Sequence, residues 1–238
     1  MRMLTLLLSL IGWLLFAAPP ASAETLPLPP GLVGFDSAEG EALLVGAESR
    51  KDYFALAQHF VTQRNQAFCG VASIAMVLNA LALPAPVTPD LAPFSNFDQE
   101  NVFTPQTEAV VARATIERIG MTLDQVGGVL SSYGLNVEIH HAADSSLEEF
   151  RRLASEELDA PGRFVIVNSL RAAIGQEKGG HISPLAAYDA DTDRFLILDV
   201  SRYKYPPVWV SAADLYAAMN TTDSDNDNRT RGFVIAGR

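Results

Sequence analysis

Cysteine is nearly absent from this sequence: Cys69 stands alone among 238 residues. An internal disulfide is therefore excluded, and no second sulfur supports a thiolate zinc site. A basic surplus is missing too, with 17 Lys and Arg against 28 Asp and Glu and a net charge of −11. That balance disfavours nucleic-acid binding, which needs a cationic face to neutralise phosphates. Beyond the N-terminal segment no apolar run approaches the ~20 residues that span a bilayer. The special glycine patterns are also lacking. Gly127-Gly128 has no flanking phosphate-loop residues, and the stretch Asp223-Ser224-Asp225-Asn226-Asp227 begins like a calcium loop but has Asn228 at the turn-glycine position and Val234 at the glutamate position. There is no internal repeat and no low-complexity tract.

What is present begins with a leader. Arg2 gives a positive start, Met3 to Ala18 is apolar, and Pro19 to Ala23 ends in a small-x-small pattern. Residues 1–23 read as a signal peptide cleaved after Ala23, which implies a periplasmic or secreted protein that is free of the membrane after cleavage. Losing Arg2 makes the mature chain more acidic, at −12 (16 − 28). Residues 24–35, rich in Pro and Gly, read as an extended arm, and residues 36–238 as one catalytic domain.

Two short helices are expected at Glu39–Ala47 and Lys51–His59. A clearer one follows Phe68, where Val71, Ile74, Ala75, Leu78 and Leu81 recur at helical spacing with Cys69 in the first turn. Further helices are expected from Thr107 to Gly120, from a capping box at Thr122 and Gln125, from another at Ser145 and Glu148, and over Ser211–Met219. Strands are expected at Leu135–Ile139, Arg163–Leu170, His181–Tyr188, Arg194–Val200 and Arg231–Ala236. Helices first and strands later indicate an α+β fold, with a helical lobe packed against an antiparallel β-sheet lobe.

The polar turn Asp189–Asp193 joins two apolar runs. A hairpin centred near residue 190 sets His181 directly across from Asp199, where the carboxylate would accept from imidazole Nδ1 and leave Nε2 as the base. Cys69 at a helix N-terminus beside an imidazolium gains thiolate character. Its backbone N–H can donate to an oxyanion, and the Gln63 side-chain amide can supply the second donor. Each residue also has an ordinary reading: an inert buried cysteine, a hydrogen-bonded strand histidine, a surface glutamine. His140-His141 follows a strand, but neighbours on a strand face opposite sides, so the pair is rejected as a metal site.

Gln63–Leu81 (QRNQAFCGVASIAMVLNAL), Gly180–Val210 (GHISPLAAYDADTDRFLILDVSRYKYPPVWV) and Asp214–Phe233 (DLYAAMNTTDSDNDNRTRGF) resemble phytochelatin synthases. The resemblance implies a papain-like fold and carries the family's catalytic Cys, His and Asp onto Cys69, His181 and Asp199, with Gln63 at the oxyanion position. It implies attack on the Cys–Gly bond of glutathione, a γ-glutamylcysteinyl thioester, and then hydrolysis or transfer to a second glutathione. Asn168, Arg171, Asp223 and Arg231 are carried over as substrate-binding residues. No metal is implied as a bound cofactor: cadmium or zinc would enter as glutathione thiolates, and the family implies a homodimer. A chain ending shortly after the core resembles the short bacterial form, for which hydrolysis is the expected activity. A general periplasmic cysteine peptidase and a non-catalytic thiol or metal-binding module are the alternatives.

Overall fold

The structure is a computed structural model that describes residues 25–238; the expected signal peptide lies outside the described residues. In chain order the elements are β1 (Val33–Gly34), α1 (Ala38–Gly46), α2 (Lys51–Ala57), α3 (Cys69–Ala80), α4 (Pro105–Val110), α5 (Arg113–Ile119), α6 (Leu123–Ser132), β2 (Asn136–His141), α7 (Leu147–Glu157), β3 (Arg163–Leu170), β4 (Gly180–Asp189), β5 (Arg194–Ile197), β6 (Val208–Ser211), α8 (Ala212–Met219) and β7 (Gly232–Gly237). The strands form one antiparallel sheet in the order β1-β6-β5-β4-β3-β7-β2.

Alternation along the central strands explains the layering. Phe164 and Ile166 of β3, with Val234 and Ala236 of β7, join a core that includes Leu43, Leu56, most of α3 and Leu130. Val165, Val167, Phe233 and Ile235 point the other way, onto Phe150 of α7 and Leu215 of α8. The expected combination of helices with an antiparallel sheet is present, and the helices cover both faces of the sheet rather than one. The near-continuous apolar runs of β3 and β7 are the sequence mark of strands buried on both sides. No helix of the described residues is long and apolar enough to cross a membrane.

Several boundaries differ from expectation for identifiable reasons. The helix expected from Thr107 is two: α4 starts at Pro105, capped by Thr104 in a reciprocal box with Thr107, and the chain turns extended at Val111 before α5. Proline at the first helical position was the overlooked start signal. The cap of α7 is Ser146 rather than Ser145, with its side chain accepting from the Glu149 N–H. Residues expected to form an arm instead supply β1, paired with β6, while the Leu26 N–H reaches Lys204 O at 2.9 Å.

Candidate active site

Cys69 opens α3, a helix with ten buried residues and no side-chain cap at Phe68. The first-turn N–H groups are therefore available to an anion. Ser73, one turn on, fastens this helix to β4: its Oγ lies 2.8 Å from Cys69 O and 3.2 Å from Ile182 O. That shared hydroxyl brings the residue before Ile182 against the thiol. His181 is 8% exposed and lines the same cleft as Cys69, with its ring near enough to act on the thiol's ionisation.

The far side of the ring is held twice. Nε2 donates to Asp199 Oδ1 at 2.8 Å and lies 2.8 Å from Ser183 Oγ. The expected nitrogen roles are thus reversed: Nε2 meets the carboxylate, and Nδ1 is the nitrogen left for the thiol. The expected hairpin register is corrected as well. Leu185 faces Ile197, but a bulge follows and Ala187 faces Leu196, so opposed residues do not share the constant sum that would pair His181 with Asp199. β5 ends at Ile197, and Asp199 lies beyond the ladder. The contact survives because the register at Leu185 and Ile197, carried onward, displaces Asp199 by two positions, which preserves its face and leaves it diagonal to His181.

Electrostatics favour an ion pair. Burial pushes the Cys69 thiol up, but the His181 hydrogen bond and charge, with backbone bonds at Ile182 and Gly70, bring it net below the usual thiol range. Burial pushes His181 down and Arg171 does the same, yet Asp199 carries it net above the ordinary imidazole value. Burial opposes ionisation of Asp199 too; His181, Arg171 and the Ser201 N–H overcome it and hold the carboxyl at about 2.

Arg171, expected to bind substrate, is placed beside Asp199. It is 4% exposed, lies 2.8 Å from Asp199 Oδ2, donates to Gln176 Oε1, and sits over the Tyr205 ring at 5.2 Å. Its guanidinium is committed to the carboxylate that holds His181. Gln63 is placed close to this group but not as expected. Its N–H donates to Val200 O at 2.8 Å, Nε2 donates to Asn65 O at 2.6 Å and to Tyr203 Oη at 3.1 Å, and Oε1 is buried without a protein partner.

Cys69 and His181 open onto a cleft of about 420 Å³ whose lining includes Asn168, Asp223 and Arg231. Three of the four expected binding residues are therefore gathered at the thiol. Arg231 Nη1 donates to Thr222 O at 2.6 Å, and Nη2 lies 3.5 Å from Asp223 Oδ1. Its Nε is buried with no protein partner. Gly180 lies beside it. The opposite wall is Glu117–Thr122, turned by Gly120 at φ +81°. The helix stop at Gly120 was legible, but nothing in the sequence said which wall it forms. His140 and His141 take opposite faces: His140 stacks on Phe233 at 4.6 Å, while His141 Nε2 lies 2.9 Å from Asp124 Oδ1.

The family model described as phytochelatin synthase matches residues 23–233. The chain belongs to the phytochelatin synthase family. It is 34% identical over 216 residues to glutathione gamma-glutamylcysteinyltransferase 1 of Lotus japonicus, with 90% of this chain and 42% of that protein covered. The corresponding protein 1 of Triticum aestivum is 35% identical over 218 residues, at the same coverages. The glutathione gamma-glutamylcysteinyltransferase of Schizosaccharomyces pombe is 30% identical over 211 residues, covering 87% of this chain and 49% of that protein. This member of the family thus spans less than half the length of those relatives. Among solved structures, a double glycine motif protease from an AMS/PCAT transporter, in complex with the leader peptide, covers 75% of this chain and 90% of its own. Its 15% identity and TM-score of 0.37 are too slight to bear on the fold.

Proposed function

We propose that this phytochelatin synthase family member is a papain-like acyltransferase that cleaves the Cys–Gly bond of glutathione. The observation that carries the reading is the buried chain Cys69–His181–Asp199 at the mouth of a cleft that also holds Arg231, Asp223 and Asn168. The Cys69 thiolate attacks the scissile carbonyl, forming a carbon–sulfur bond. The Cys69 N–H stabilises the oxyanion, and Gln63 supplies a second donor once its amide leaves Asn65 and Tyr203. His181 then gives its proton to the departing glycine nitrogen as the carbon–nitrogen bond breaks, leaving γ-glutamylcysteine as a thioester.

The zwitterionic end of the γ-glutamyl group needs one partner of each sign. Arg231 has an unpaired buried Nε–H for the carboxylate, and Asp223 is placed for the ammonium. Asn168 serves the acyl backbone. Water then releases γ-glutamylcysteine, or the amine of a second glutathione takes the acyl group; cadmium and zinc enter as glutathione thiolates, part of the substrate. Export, cleavage after Ala23 and homodimerisation belong to the same reading, and N-terminal sequencing of the exported chain checks the cleavage point.

Glycine release from glutathione by the purified chain tests the activity. Release that is lost in Cys69→Ser supports it. Absence of release together with cleavage of casein would replace it with a general cysteine peptidase.

A further inference from the structure

A second cavity, of about 150 Å³, adjoins the cleft and shares only Gln66, Gly180 and His181 with its lining. The two spaces differ in charge. The cleft is mixed, with Glu117, Asp223 and Asp225 against Arg118 and Arg231. Apart from His181, which borders both spaces, the charged residues lining the second cavity are Arg171, Lys178 and Lys204, and all three are cationic. Two of the three are already engaged: Arg171 by Asp199, and Lys204 by Glu177 at 2.8 Å. Lys178 has no carboxylate partner among the described residues. It stands on the loop before β4, beside Gly179 at φ +123°, where Gly179 O accepts from the Arg171 N–H at 3.0 Å. That glycine conformation turns the loop back and sets Lys178 on the cavity wall. The buried Gln63 Oε1, also without a protein partner, belongs to a residue of the same wall.

We infer that this cavity receives the residue on the leaving side of the scissile bond and recognises its free α-carboxylate through Lys178, flanked by Lys204. The inference rests on the acyl-transfer reading above. His181 borders both spaces, so the imidazolium that protonates the departing nitrogen sits between the acyl part in the mixed cleft and the leaving residue in the cationic cavity. A short anion suits a small, wholly cationic space, whereas an amidated or extended peptide presents no charge there. The chain therefore selects substrates in which a single C-terminal residue with a free carboxylate departs.

The test compares kcat/KM for glycine release from glutathione with glycinamide release from its C-terminal amide, in the wild type and in Lys178→Met, Lys178→Arg and the double variant Lys178→Met/Lys204→Met. The wild type is expected to prefer glutathione by about tenfold or more, as for a charge-assisted hydrogen bond. Lys178→Met should lose most of that preference by slowing glutathione while leaving the amide unchanged, Lys178→Arg should keep it, and the double variant should abolish it. A wild type that treats both substrates alike, or a Lys178→Met that slows both equally, would overturn the inference while leaving the acyl-transfer reading intact. A wild type that releases neither product would remove both.

Discussion

At the scale of single residues, the proposed catalysis draws on opposite shifts in the proton affinities of a thiol and an imidazole. Lowering the Cys69 pKa widens the pH range in which the thiolate exists, and raising the His181 pKa widens that of the imidazolium, so both shifts favour the ion pair. Alkylation of Cys69 by iodoacetamide should accordingly stay fast below pH 9, where an ordinary thiol slows about tenfold per pH unit. A rate that follows the ordinary thiol curve would contradict the ion pair. Arg231→Ala should raise KM for glutathione by roughly 10–100-fold, the equivalent of about 1.5–3 kcal/mol, with little change in kcat. Arg171→Met should behave differently. Breaking a buried ion pair costs about 3–5 kcal/mol, so this variant should lose stability in urea titration and lose kcat through misplacement of His181. An unchanged unfolding midpoint with a raised KM would restore Arg171 to the substrate.

At the scale of elements, what was legible depended on whether the signal was local. The helix at Cys69 and the extent of β3 were readable, because apolar spacing and β-branched runs are properties of the chain itself. The β4–β5 register was not, because a bulge next to Ala186 is set by packing between layers. The contact between His181 and Asp199 survived that error, since a shift of two residues keeps the same face; the nitrogen assignment did not. Arg171 was not recognisable as the partner of Asp199, because an arginine's choice between two anions is a tertiary matter. α2 offers an element-scale prediction. Asp52 is 2% exposed with Oδ2 unpartnered, and burial, together with Glu157 and Asp159, pushes its carboxyl up to about 9 from 3.8. The folded state keeps that proton through neutral pH while the unfolded chain releases it near 3.8, so stability falls as pH rises between those values. Asp52→Asn should flatten this slope and raise Tm at pH 8; an unaltered slope in thermal scans would contradict the assignment.

At the scale of the whole molecule, both faces of the sheet are covered, and the proposed active site sits where one helix N-terminus meets the start of a central strand. α1 is part of that packing: Gly40 is in such close contact that an added Cβ would meet Gly34 O at 2.1 Å, and Gly40 O accepts from Trp209 Nε1 at 3.2 Å. Gly40→Ala should destabilise the chain by about 1–3 kcal/mol without changing the pH profile of a folded sample. The central claim is that Cys69 itself carries the γ-glutamylcysteinyl group. Its most direct test is intact-protein mass spectrometry after rapid mixing with glutathione and acid quenching, followed by peptide mapping. The account predicts a gain of one γ-glutamylcysteinyl group on the peptide containing Cys69, with one glycine released per group gained; glycine release with no adduct, or with the adduct on another residue, would contradict it.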